Sequence, residues 1–187
     1  MRSKLLVSFV LLAVMVTACA PETAAEPVQV VPASAAAADL NLPVDFDLKL
    51  YQGQESYGGD VMKISNVFAE GKPVVMGFYA GMCPTCIVEL PRLQAACDEY
   101  EGEVNFVLVD VGPHVGLGTE EDGANMLDAV KASIPAGTLL SVDALREYGV
   151  LGTPSAFFFH ADGTLDQQHA GLMTDEQIEA AITALLP

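Results

Sequence analysis

A chain of 187 residues with 25 acidic and 8 basic side chains carries a formal charge of −17, which disfavours nucleic acid and anionic lipid surfaces as partners. The length suffices for one domain with a proper core, and the acidity reads first as a solubility device. Tryptophan is absent, and the four cysteines are Cys19, Cys83, Cys86 and Cys97.

At the N-terminus, Arg2 and Lys4 precede an apolar run from Leu5 to Val16, and the small residues Thr17 and Ala18 lead into Cys19. The run is short for a membrane span and reads as an export signal. The Val16-Thr17-Ala18-Cys19 junction looks like a bacterial lipoprotein cleavage site. That implies removal of residues 1–18 and lipidation of Cys19, which would hold the protein to the cell membrane, or to an outer membrane if the host has one, outside the cytoplasm. The competing explanation is an ordinary secretory signal with an incidental cysteine. Losing Arg2 and Lys4 would leave six basic against 25 acidic residues, a charge of −19.

Between Ala20 and Asp39 lie eight alanines and three prolines with no periodic apolar face, a composition that cannot bury enough surface to fold alone. Residues 19–43 are therefore expected to be a lipidated tether, spanning on average roughly 30 Å if flexible. Residues 44–187 form the expected domain. Phe46, Leu48 and Leu50 alternate as a half-buried strand, and the turn-rich Gln52–Gly59 stretch suggests an N-terminal hairpin. Ile64, Val67 and Phe68 offer a short amphipathic helix closed by Gly71. Val74 to Tyr79 is nearly continuously apolar, as a central strand covered on both faces would be.

That strand should hand over to a helix running from about Pro84 to Glu101, with Cys83-Pro84-Thr85-Cys86 at the junction. Unpaired N–H groups and the positive end of the helix dipole favour a thiolate on Cys83, the form that attacks disulfides. Cys86, one turn further in, would be shielded and placed to resolve the mixed disulfide formed on Cys83. Pro91 deprives the helix of one hydrogen bond and should kink it. Cys97 follows Leu90 and Leu93 at helical spacing and reads as a buried structural thiol.

Gly102 should stop this helix, Val104 to Val109 forms the next strand, and Thr119 caps a helix to about Ala132. His114 lies in the glycine-rich segment from Gly112 to Gly118. Ser141 begins a short helix ended by Gly149. Ser155–His160, a turn at Asp162-Gly163 and Thr164–His169 make a hairpin flanked by His160 and His169. Thr174 with Gln177 three residues on is a capping-box signature for the last helix.

This order of elements, the stretch Phe78-Tyr79-Ala80-Gly81-Met82-Cys83-Pro84-Thr85-Cys86, and Val150-Leu151-Gly152-Thr153-Pro154 before an apolar strand resemble the thioredoxin superfamily. Within it the chain looks most like the TlpA/ResA group of membrane-anchored extracytoplasmic thiol-disulfide oxidoreductases, over nearly all of residues 44–187. The resemblance implies a thioredoxin-like α/β fold, a central mixed sheet flanked by helices with an N-terminal hairpin. It implies a cis-proline at Pro154 that faces the cysteines, with Met82, Pro84, Thr85 and Thr153 completing the surface that receives an extended substrate. Protein thiols and disulfides would be the partners, with apocytochrome c a target and a membrane protein the electron donor. No cofactor beyond the redox-active Cys83–Cys86 pair and no metal is expected.

Glu89 matches an active-site glutamate of that group. One turn beyond Cys86, it is either a partly buried carboxyl that takes the Cys86 proton or a solvated helix glutamate; helix phase near Pro91 leaves both open. Gly77 stands where thioredoxin carries a buried aspartate, which leaves Glu89 as the remaining nearby acid. Met82 replaces the usual tryptophan before the first cysteine, giving a softer docking surface. With no Lys, Arg or His beside Cys83 in sequence, a weakly stabilised thiolate and a thioredoxin-like, reducing potential are expected. The alternative from a different class is a copper-delivery module using Cys83, Cys86 and His114 as ligands for Cu(I), although copper chaperones of this fold usually space their cysteines by three residues. A peroxiredoxin would need a threonine where Ala80 stands.

Overall fold

The computed structural model describes residues 40–187; the export signal, Cys19 and most of the tether lie outside the described residues. A seven-stranded mixed sheet forms in the order β2-β1-β5-β4-β3-β6-β7. β3 (Val74–Tyr79) lies between β4 (Asn105–Asp110), its parallel neighbour, and β6 (Ser155–Phe159), its antiparallel one. Every residue of β3 is buried, which is why its sequence is continuously apolar rather than alternating. Across it, Phe78 and Phe157 pack edge to face with centroids 5.2 Å apart, and Phe157 meets Tyr148 at 6.1 Å.

The N-terminal hairpin is present. β1 (Asp47–Gln52) pairs antiparallel with β2 (Val61–Lys63) across the short helix α1 (Gln54–Tyr57), and Leu48 and Leu50 point into the core. Ile64–Phe68 forms a 3-10 helix rather than an α-helix, and Gly71 follows at φ +65°. Leu40 and Leu42, on the tether side of the expected boundary, already pack against the core, and the Asn41 amide donates to Asp162 O at 2.9 Å.

α2 (Cys86–Glu99) runs through Pro91 and packs against α4 (Glu120–Val130) and α6 (Asp175–Thr183). Thr119 and Asp122 form a reciprocal capping box on α4, and Thr174 and Gln177 form one on α6, as the S/T-x-x-E/Q type of spacing favours. α5 (Asp143–Glu147) follows Ser141, whose hydroxyl accepts from Asp143 N–H at 3.3 Å.

Three elements escaped sequence reading, the first being α1, a single helical turn inside the stretch read as turn-rich. α3 (Gly112–Val115) is a single helical turn within the glycine-rich segment. β5 (Ala136–Leu139) is four residues long and contains Gly137, whose missing Cβ would stand 2.2 Å from Lys49 O. The close approach of β1 demands glycine there, and glycine weakens the local strand signal. The β6–β7 connection is longer than a two-residue turn. It spans residues 160–164, closed by His160 N–H to Thr164 O at 2.9 Å, with Gly163 at φ +81° before β7 (Leu165–Ala170). No helix of the described residues is long and apolar enough to cross a membrane.

Candidate active site

β3 ends at Tyr79 and the chain turns through Ala80-Gly81-Met82 into α2. Gly81 is dictated by packing: a Cβ there would lie 2.4 Å from the Asp122 backbone carbon at the start of α4. The Met82 N–H donates to Leu117 O at 2.8 Å, and the Cys83 N–H to Ala80 O at 3.0 Å. The helix begins at Cys86, two residues later than expected, so Cys83 sits in the turn before it.

Cys83 and Cys86 are joined as a disulfide with Cα atoms 5.3 Å apart. Cys83 Sγ accepts from the Cys86 N–H at 3.2 Å and lies 3.4 Å from the Thr85 hydroxyl. The same N–H also donates to Cys83 O at 3.2 Å, so the first sulfur shares one helix-start N–H with a carbonyl, a contact that favours a thiolate. In this oxidised form both sulfurs are covered, not only that of Cys86. Cys83 is only 3% exposed and Cys86 fully buried. The surface belongs instead to Met82, 64% exposed, with Pro84 and Thr85 beside it.

The Thr153–Pro154 peptide is cis. Phe78 pairs with Ser155, so Pro154 lies at the sheet edge from which the cysteine loop departs. Its carbonyl accepts from the Gly171 N–H at 2.8 Å. Among the described residues the Thr153 backbone N–H and C=O make no hydrogen bond, and its buried hydroxyl has no partner. Leu151, 96% exposed, and Leu172 add apolar surface beside Pro154.

Glu89 is buried, at 1% exposure, not solvated. Its Oε2 accepts from the Met173 N–H at 2.8 Å, and Arg92 donates to Met173 O and pairs with Asp175 at 3.3 Å. Burial pushes the Glu89 carboxyl above its usual range, opposed by the Met173 N–H, by His169 and by the Arg92 guanidinium. At Gly77, where thioredoxin carries an aspartate, a Cβ would stand 2.8 Å from Leu108 Cδ2 and 3.0 Å from Leu93 Cδ1, so any side chain there would have to displace both leucine ends.

A family model described as a thioredoxin-like domain matches residues 62–186. The chain belongs to the thioredoxin-like family. Sporulation thiol-disulfide oxidoreductase A of Bacillus subtilis (strain 168) is 24% identical over 142 residues, covering 74% of this chain and 78% of that protein. Thiol-disulfide oxidoreductase ResA of Oceanobacillus iheyensis is 25% identical over 142 residues, covering 75% and 70%. Among solved structures, the exposed lipoprotein thioredoxin Etrx1 of Streptococcus pneumoniae strain TIGR4 aligns with TM-score 0.63 and 25% identity over 76% of this chain and all 100% of that one. A thiol:disulfide interchange protein DsbE from Chlorobium tepidum aligns with TM-score 0.66 and 24% identity over 80% and 98%, and shows the fold.

Not every candidate residue gathers at this thioredoxin-like site. Cys97 is half-buried on α2 and its thiol is raised to about 11 by burial and by Asp98 and Glu101, the opposite of a reactive cysteine. His114 is engaged elsewhere, with Nε2 at 2.8 Å from Leu139 O. His160 pairs with Asp166 at 3.4 Å, and His169 lies on β7. Among the described residues no group of three or more His, Cys, Asp or Glu side chains is arranged to hold a metal ion. Sequence reading missed Asp110, a fully buried carboxylate closing β4. A lone acid ending an apolar strand was its available signal.

Proposed function

We propose that this protein is an extracytoplasmic thiol-disulfide oxidoreductase that reduces disulfides in exported proteins. The observation that carries the proposal is the Cys83–Cys86 disulfide at the start of α2, at the same sheet edge as cis-Pro154. In the reduced protein the Cys83 thiolate attacks one sulfur of a substrate disulfide, and the other substrate sulfur leaves as a thiolate. Cys86, deprotonated, then attacks Cys83 Sγ, releasing the second substrate thiolate and closing the internal disulfide. Two electrons pass from the dithiol to the substrate. Glu89, one turn beyond Cys86 on the buried face of α2, takes up the Cys86 proton. The free backbone groups of Thr153 pair with an extended substrate segment, whose apolar side chains lie on Met82 and Leu151.

The export signal, removal of residues 1–18 and lipidation at Cys19 complete the proposal, with a tether that ends before Leu40, since Leu40 and Leu42 already pack against the core of the working domain. The similarity to an exposed lipoprotein thioredoxin supports that placement. Apocytochrome c thiols are a candidate substrate and a membrane protein the candidate electron donor. The activity test is insulin reduction by the mature protein with dithiothreitol as donor: Cys83→Ser should be inactive, and activity surviving that substitution refutes the mechanism. In the native host, Cys86→Ala should retain partners as mixed disulfides on Cys83. Cys19→Ser should move the protein from the membrane to the soluble fraction.

A further inference from the structure

Asp110 is the other buried acid of this domain, and the proposed electron exchange leaves it without a task. It closes β4 directly beside Tyr79, the last residue of β3, so it lies at the root of the loop that carries the cysteines. Its Oδ1 accepts from the Gly112 N–H at 2.8 Å and its Oδ2 from the Tyr51 hydroxyl at 3.1 Å. No ion pair reaches it among the described residues.

The Gly112 amide opens a short relay. Gly112 O accepts from the Leu117 N–H at 3.0 Å, closing the α3 turn, and Leu117 O accepts from the Met82 N–H at 2.8 Å. The backbone is crowded along this path: a Cβ on Gly112 would lie 2.8 Å from Leu117 O, 3.0 Å from Asp110 Oδ1 and 3.3 Å from Gly81 N. A carboxylate is thus tied through one turn to the amide immediately preceding Cys83.

We propose that Asp110 is a positioning residue: its ionised carboxylate locks the Gly112–Leu117 turn, which fixes the Met82 amide and thereby the pose of Cys83 for attack, and proton uptake by Asp110 loosens that lock. The proposal rests on the thiol-disulfide oxidoreductase reading for its effect on rate, but not for the relay itself. Protonation replaces a charge-assisted hydrogen bond from Gly112 by a neutral one about half as strong. Burial sets the change near neutrality, raising the Asp110 carboxyl to about 6. The groups facing it are Tyr51 from β1, Tyr79 from β3, His114 from α3 and Glu120 from α4, the last paired with Lys49 of β1 at 2.7 Å. Tyr51 and His114 favour the ionised form, and Glu120 opposes it.

The test follows backbone amide resonances of the oxidised full-length mature protein by NMR from pH 4.5 to 7.5, where the disulfide removes thiol titration. Gly112 and Met82 should shift together with one midpoint near 6. Asp110→Asn should abolish both shifts, Tyr51→Phe should move the shared midpoint upward, and Glu89→Gln should leave it in place. A Met82 amide that stays flat while Gly112 titrates overturns the relay, as does a shared midpoint that survives Asp110→Asn or fails to move in Tyr51→Phe. Should Asp110→Asn not fold, the Tyr51→Phe shift decides alone. In insulin reduction, the ratio of wild-type to Asp110→Asn rates should be about five- to tenfold at pH 7.5 and near one at pH 5, the size of exchanging a charged for a neutral hydrogen bond. A ratio independent of pH would overturn the positioning role. Absence of wild-type reduction altogether would instead refute the enzymatic proposal while the amide shifts still judge the relay.

Discussion

Replacing Gly123 by alanine isolates the packing of α4 on the Asp110 carboxylate. In an ordinary exposed helix this change stabilises by about 1 kcal/mol, because alanine has less backbone freedom to lose on folding. Here the added Cβ would stand 2.0 Å from Asp110 Oδ2 and 2.7 Å from its Cγ. Normal non-bonded separation is roughly 3.5 Å, so the carboxylate must swing away or α4 must lift by more than about 1 Å. A swing breaks the bonds from the Gly112 N–H and the Tyr51 hydroxyl, and a lift breaks the one from the Tyr79 hydroxyl to Gly123 O at 3.3 Å. Each buried group left unpaired costs about 1–3 kcal/mol. After subtracting the helical gain, the variant should lose about 1–4 kcal/mol. Urea denaturation of the oxidised protein at pH 7 reads this as a lower midpoint with an unchanged slope. In an Asp110→Ala background the same substitution should cost nothing or stabilise, since the obstructing carboxylate is gone. Equal stability of Gly123→Ala and wild type, or an undiminished loss in the Asp110→Ala background, would refute the reasoning.

Glu89→Gln keeps an acceptor for the Met173 N–H but removes the charge. Since burial raises the folded-state pKa, the stability that Glu89 contributes is full below the ordinary carboxylate range and lost as pH rises through the raised value. The variant should therefore gain stability relative to wild type as pH rises above the ordinary carboxylate range, while resolving mixed disulfides at least tenfold more slowly near pH 7; an unchanged pH dependence of reduction removes Glu89 from the mechanism. Thr153→Val deletes a buried hydroxyl without a partner and should raise stability by about 1 kcal/mol in thermal or urea melts, whereas a loss would mean that the hydroxyl is satisfied in solution. Equilibration of the Cys83–Cys86 pair with a glutathione buffer should give a reducing, thioredoxin-like potential, because one helix-start N–H faces the Cys83 sulfur without a neighbouring cation in sequence. A strongly oxidising potential contradicts that expectation.

Much of the domain was legible because its signals are local. The two capping boxes, the apolar run of β3 and the cysteines at a helix start each depend on a few consecutive residues. Glu89 was ambiguous for the converse reason. Whether it is buried depends on the Gly171–Met173 segment, more than 80 residues away, which covers it and donates an N–H. β5 was invisible because its partner β1 imposes a glycine on a four-residue strand, and Asp110 because its donors come from Tyr51 and Gly112 on separate elements.

Local sequence determined that two cysteines would meet at the N-terminus of a helix following a buried strand, since three-residue spacing brings both sulfurs to one turn. Only the tertiary structure decided what surrounds them: a covered first sulfur, a cis-proline edge with unpaired Thr153 backbone, and two buried carboxylates, Glu89 on α2 and Asp110 on β4. The physical reason is that burial and hydrogen-bond partnership are properties of contacts between distant segments. A residue's own neighbours in the chain fix its helical phase or strand face, while its solvation and charge are settled by whichever elements pack over it.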